Sequence, residues 1–191
     1  PGTSGAVSFT SKDLEIMEKV SGVKAVTYYT ITTAKIEYRD EIRFVTAAAV
    51  DIENQELFLE TSTTKIDVGR LLNKNNLDKI LLGSQYKGTQ FLKNGVEAGD
   101  KININEATFE VVGILTPVGN PSDDRLVYLH EDAFETLFNI TDRVDSAVVQ
   151  IDEGREIIEV AERLGRRLAS EREVDDDDRD FTILTPEELL K

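Results

Sequence analysis

The sequence predicts an α+β protein, and three observations carry that prediction. The first third reads helix-strand-strand, the last third reads strand-helix-strand, and the middle is a run of short strands punctuated by glycine turns. Either outer third alone has too few strands for a stable sheet. The two are therefore expected to close one four-stranded sheet with two helices on one face. Residues 1–61 and 143–191 then form a discontinuous α+β lobe, and residues 62–142 an inserted β-rich lobe. In that arrangement both ends of the chain leave from the same sheet.

The elements follow in order. Residues 1–9 read as a loose lead-in, opening on the linker-like Pro1-Gly2-Thr3-Ser4-Gly5. Thr10 or Ser11 caps a helix to about Val20, with Asp13 and Glu15 in the first turn, where the helix dipole favours carboxylates. Leu14, Ile16, Met17 and Val20 form its buried stripe, and Gly22 ends it as a C′ glycine. Two long strands follow, 23–38 and 41–50, joined by a turn at Arg39-Asp40. The small residues Ala47-Ala48-Ala49 make sense only where something packs closely against the strand. Residues 57–59 read as a short helix, 61–64 as loop and 73–76 as a polar turn. Then come a strand at 79–82, a helix over 84–92 with Ser84 as its N-cap, and strands at 101–104 and 109–115. Proline, glycine, asparagine and aspartate crowd the next segment, which is expected to be an exposed loop. A strand at 126–129 and a short helix at 131–138 close the middle. Beyond lie a strand at 144–151, an amphipathic helix over 156–169, and a last strand at 181–184. Thr185-Pro186 starts a further helix with proline at its first position, and the natural chain is expected to continue beyond it.

An ordered set in the middle is the most informative feature. Ile80-Leu81-Leu82-Gly83 is followed by Gly99-Asp100-Lys101-Ile102 and then by Phe109-Glu110-Val111-Val112-Gly113-Ile114-Leu115. None of these residues is a nucleophile, a base or a metal ligand. The order and spacing resemble the MacB-like periplasmic core domain, found outside the membrane in ABC-transporter permeases of the MacB, LolC/LolE and FtsX-like type. Val20-Ser21-Gly22-Val23-Lys24-Ala25-Val26 resembles the family's opening helix end, Val50-Asp51 the end of its second strand, and Gly69-Arg70 its "GR" turn. Asp123-Asp124 with Val127-Tyr128-Leu129 resembles a later strand, and Phe181-Thr182-Ile183-Leu184-Thr185 the closing one. The chain departs from the family at Leu129-His130, where a proline is common.

The resemblance implies a finer subdivision: a ferredoxin-like, porter-type lobe (1–61 and 143–191) and an inserted sabre-type lobe (62–142). It implies a non-enzymatic domain on the periplasmic or extracellular side of the cell membrane, hung between two membrane helices. ATP would be used by a separate cytoplasmic ABC ATPase, and a second permease copy or a paralogue would face this one. An extracytoplasmic accessory protein is a further expected partner. The alternatives are an FtsX-like domain that recruits and regulates a cell-wall hydrolase, and, from another class, a freestanding enzyme or ligand-binding domain.

Composition narrows the chemistry. The net charge of -15 repels phosphate backbones, which excludes nucleic acid as a partner and disfavours anionic lipid surfaces. With no cysteine, disulfides, thiolate catalysis and cysteine-based zinc sites are excluded. The single histidine, His130, forms no metal pair and reads as a surface or strand-end residue. Asp175, Asp176, Asp177 and Asp178 form a dense acidic run that offers carboxylates for calcium, but it lacks the EF-hand spacing and reads as a solvated loop. Gly83-Ser84-Gln85 matches neither a nucleotide loop nor a nucleophile elbow. No catalytic or cofactor-binding residue is expected. The partner-binding candidates are the loop residues Thr116, Pro117, Val118, Gly119, Asn120, Pro121, Ser122, Asp123, Asp124 and Arg125. Tyr86, Phe91 and Tyr128 flank them as candidate aromatic anchors, though each reads first as core.

Overall fold

The computed structural model describes residues 8–175 and 178–189. In chain order the elements are α1 (Ser11–Glu18), β1 (Val23–Tyr29), β2 (Ile31–Tyr38), β3 (Glu41–Val50), α2 (Gln55–Thr61), β4 (Ile66–Gly69) and β5 (Lys79–Leu82). They continue with β6 (Lys101–Ile104), β7 (Ala107–Leu115), β8 (Val127–His130), α3 (Glu131–Phe138), β9 (Ser146–Ile151), α4 (Ile157–Glu171) and α5 (Pro186–Leu189). Two compact units share them. Unit 1 takes the chain up to Thr27 and again from Asp142, and unit 2 is Tyr28–Thr141.

Unit 2 is a closed ring of strands. Pairing runs β7–β5–β8–β3–β2–β6 and returns from β6 to β7, with β4 added to β7 beyond β6. Each of the six ring strands therefore has a neighbour on both sides over at least part of its length. The alternation of each strand sends one set of side chains inward. Ala34 and Ile36 on β2, Val45, Ala47 and Ala49 on β3, and Ile102 and Ile104 on β6 all join one buried cluster. The alanine run is packed closely on both faces, as expected: β3 lies between β2 and β8, with Ala47 and Ala49 inside the ring and Ala48 in a second cluster on the outside. Phe134 of α3 also belongs to the ring cluster and is fully buried. The outer cluster is built around Phe58 of α2, which stacks on Tyr29 at 4.7 Å and meets the edge of Tyr128 at 5.9 Å.

Unit 1 is smaller. β1 and β9 form a two-stranded sheet, and Ile16, Met17, Val20, Val26, Leu164 and Leu168 make the buried cluster between it and helices α1 and α4. Thr10 is the N-cap of α1, with a full capping box: its side chain accepts from the Asp13 amide, and the Asp13 carboxylate accepts from the Thr10 amide. Glu188 serves the Thr185 amide in the same way at the start of α5.

Several expectations are corrected. The four-stranded sheet does not form: β2 and β3 belong to the seven-stranded sheet of unit 2, and only β1 pairs with β9. The change of unit thus falls at Thr27/Tyr28, not at residues 61/62. The strand changes sheet around Thr30, whose carbonyl still accepts the Ala49 amide at 2.9 Å in continuation of the β2–β3 ladder, while β1 before it pairs with β9. No glycine or proline marks that change. Residues 181–184 form no ladder, although Phe181 and Ile183 still pack on the unit 1 cluster. The expected helix over 84–92 is only a 3₁₀ turn, Ser84–Lys87, and the preceding Gly83, not Ser84, is its cap. β4 has no counterpart among the expected elements. Gly22 lies three residues beyond the C-cap Lys19, not at C′; its φ of +97° and the Val160 methyl 2.9 Å from where a Cβ would stand both demand glycine.

Candidate functional site

The loop from Thr116 to Arg125 follows β7 and returns into β8. Its middle residues Gly119, Asn120, Pro121 and Ser122 are exposed. Its far end is not free. Asp124 is buried, and its carboxylate accepts the Val118 amide at 2.7 Å and the Gly119 amide at 3.2 Å. The Asp124 carbonyl oxygen would lie 2.4 Å from a Cβ at Gly83, so the loop end is pressed against the start of the 3₁₀ turn. Thr116 is held at the near end, where its hydroxyl accepts the Lys65 amide. Of the ten candidates, then, the exposed middle is available for recognition, and Thr116 and Asp124 anchor it.

The flanking aromatics sit beneath the loop. Tyr86 is fully buried and donates its hydroxyl to the Arg125 carbonyl at 3.0 Å. Tyr128 is buried in the outer cluster. Phe91 is part-buried under the Arg125 guanidinium, 5.0 Å from it, and Arg125 also reaches Gln85.

A polar cluster lies where β3 and β8 end side by side, Val50 opposite His130. His130 is buried, not on the surface; it stands at a strand end, and its Nδ1 accepts the Asp132 amide as the N-cap of α3. That nitrogen is committed to a helix cap. Glu131 accepts the Ile52 amide at 3.1 Å, and Asp51 accepts the Glu53 and Asn54 amides. Burial pushes the Glu131 carboxyl above its ordinary range, and neighbouring Asp51 adds to the rise. Burial also pushes the Tyr28 hydroxyl up, reinforced by Glu131 and Asp51. These carboxylates serve backbone amides at the strand ends.

Asp175 and Asp178 are exposed, while Asp176 and Asp177 lie outside the described residues. Among the described residues no group of three or more His, Asp or Glu side chains is placed to hold a metal. No helix among them is long and apolar enough to cross a membrane.

Sequence reasoning missed one constellation in unit 1. Phe9, just before α1, lies 6.2 Å from Phe181, so the chain passes the same place near both of its ends. Arg172, the C-cap of α4, donates to Asp180 through Nε and Nη2 and to Asp13 through Nη1. The signal was absent from any window: Asp13 and Arg172 are 159 residues apart.

This geometry defines a mixed α+β domain in which the chain of a closed β ring is inserted into that of a smaller helix-backed unit. The family model for the MacB-like periplasmic core domain matches residues 1–167, and the chain belongs to that family of ABC-transporter permease domains. It is 32% identical over 184 residues to an uncharacterized ABC transporter permease of Methanocaldococcus jannaschii, covering 96% of this chain and 45% of that one. The chain thus spans less than half the length of that relative. Among solved structures, the periplasmic region of MacB from Actinobacillus actinomycetemcomitans superposes with a TM-score of 0.73 at 17% identity, covering 89% of this chain and 78% of that one. The extracellular domain of the noncanonic ABC-type transporter YknZ from Gram-positive bacteria gives 0.71 at 17% identity, covering 88% and 87%. These two likenesses concern the fold.

Proposed function

We propose that the chain is the extracytoplasmic domain of an ABC-transporter permease and works by transmitting motion, without covalent chemistry or a cofactor of its own. The single observation that carries this reading is the meeting of the two chain passages at Phe9 and Phe181 in a member of this family. A domain strung between two membrane helices needs its entering and leaving segments side by side. ATP is used by a separate cytoplasmic ATPase, and movement of the helices beneath reaches unit 1 through these passages. A second permease copy or a paralogue completes the transporter. Unit 1 takes the porter-type role and unit 2 the sabre-type role, with the exposed middle of the Thr116–Arg125 loop meeting an accessory partner.

The test is topology. In spheroplasts carrying the full-length permease, a cysteine at Asn120 should react with a membrane-impermeant maleimide added outside. Reaction only after the cells are opened would overturn the reading.

A further inference from the structure

We propose that Arg172 is a clamp that makes the entering and leaving chain passages one mechanical body with α1 and α4. The proposal rests on the permease reading above, but its structural half is tested without it. Arg172 closes α4 and reaches in two directions. On one side Nε and Nη2 grip the Asp180 carboxylate at 3.0 and 2.7 Å, the planar fork that only arginine offers. On the other, Nη1 donates to Asp13 Oδ2 at 2.9 Å. That same oxygen accepts the Thr10 amide, so the guanidinium is linked directly to the capping box at the start of α1. The Phe9 ring lies 5.6 Å from the guanidinium carbon and packs in turn on Phe181. One side chain therefore touches the entering passage, the start of α1, the end of α4 and the leaving passage.

The Asp13 arm of the clamp is also sheltered: the Arg172 side chain is 14% exposed and Asp13 8%, so salt and water screen that pair less than a surface pair, while Asp180 is the open arm. Pairs such as Lys19–Glu15, Arg166–Glu162 and Arg167–Glu171 join residues four apart on one helix or at its end, whereas Arg172 spans the unit. Without Arg172, a pull on residues near Phe9 or Phe181 is absorbed by fraying of the capping box and of the ladder-free segment after Asp180. With it, the pull reaches both helices.

The first experiment is a double-mutant cycle on the 191-residue chain. Asp13→Asn and Asp180→Asn are combined and followed by urea unfolding. With Arg172 present the two should be non-additive by roughly threefold or more in the unfolding constant. In an Arg172→Gln background they should add. Additivity with Arg172 present, or equal coupling without it, overturns the clamp. Should Arg172→Gln fail to fold, Arg172→Lys, which keeps the charge and loses the fork, takes its place and should also abolish most of the coupling. The second experiment uses the full permease with its ATPase in nanodiscs, read by amide hydrogen exchange. A non-hydrolysable ATP analogue should change exchange in α1 and α4 of the wild type. In Arg172→Gln that change should vanish while ATP hydrolysis persists. An unaltered nucleotide response in the variant overturns the transmission role. A wild type with no response overturns the permease reading, while the coupling measured by urea unfolding still decides the clamp.

Discussion

The two units of this chain are held together by different physics. Unit 2 closes a ring of strands around one continuous apolar interior, and backbone pairing plus burial account for it. Unit 1 has only two paired strands and a small cluster, and it depends on polar devices: a capping box and an arginine with two carboxylate partners. The lesson is that hydrophobic alternation specifies a ring, whereas a small unit built from the two far ends of a chain needs specific polar contacts.

Core truncation should separate the units most strongly. Phe134→Ala removes a fully buried ring from the large ring cluster, and should cost about 3–5 kcal/mol. Leu168→Ala in unit 1 should fall near the lower end of the ~2–5 kcal/mol range, because its cluster has only six buried members and part-buried residues packed against it that can close the gap. Urea unfolding of both variants checks the order. Equal losses would break the comparison.

That contrast also explains what could be read in advance. The ring strands, α1 with its cap, α3 and α4 were legible because alternation, capping residues and helical spacing are local. The glycine-spaced order from Ile80 to Leu115 carried the family resemblance for the same reason. Sheet membership was not legible. The change of sheet around Thr30 has no glycine or proline to announce it. β4 was missed because Ile66–Gly69 is a short edge strand that alternates only between half-buried and exposed positions. At the candidate sites, the exposed loop middle was foreseeable from its turn residues. The anchoring role of Asp124 and the reach of Arg172 were not, since both depend on residues brought together by the fold.

The next effect is smaller and lies at the loop. Asp124→Ala strips the acceptor from the Val118 and Gly119 amides, and should cost about 1–3 kcal/mol. Gly83→Ala forces a methyl against the Asp124 carbonyl and should cost about as much. The two changes strike the same loop end, one through the Asp124 carboxylate and the other through its main-chain carbonyl, so the double variant should lose less than the sum. A strictly additive double would mean that the loop end and the 3₁₀ turn are independent.

Opposite pH signatures sharpen the comparison further. In unit 2, burial raises the Glu131 carboxyl, so the folded chain keeps that proton to higher pH than the unfolded chain does. Stability is then lost as pH rises from the unfolded value, about 4.3, through the higher folded one. Glu131→Gln removes the titration and keeps an oxygen for the Ile52 amide, so its melting temperature should gain on the wild type as pH rises above the unfolded value. In unit 1, the hydrogen bonds from Arg172 hold Asp180 below its ordinary range. That contribution is present above the unfolded value, about 3.9, and is lost as pH falls through the folded one. Asp180→Asn should therefore lose on the wild type at neutral pH and draw level in acid. Two variants with the same pH trend would contradict the assignment.

The smallest effect is expected where the chain is freest. Asn120 and Pro121 are exposed, and the Asn120 side chain makes only a local turn contact to the Ser122 amide. Neither side chain enters the ring cluster or the outer cluster. Asn120→Ser with Pro121→Ser should therefore shift stability by no more than about 0.5 kcal/mol for each substitution, the range typical of surface sites. The backbone bond from the Asp124 amide to the Asn120 carbonyl is untouched by either change. If this stretch serves recognition, the same double variant placed in the full permease should weaken association with an accessory partner while folding stays as it was. Co-purification from membranes, with the Asp124→Ala variant as the destabilised control, reads both quantities. Undiminished association by the double variant would take the loop out of the contact surface and leave Asp124 a purely structural anchor.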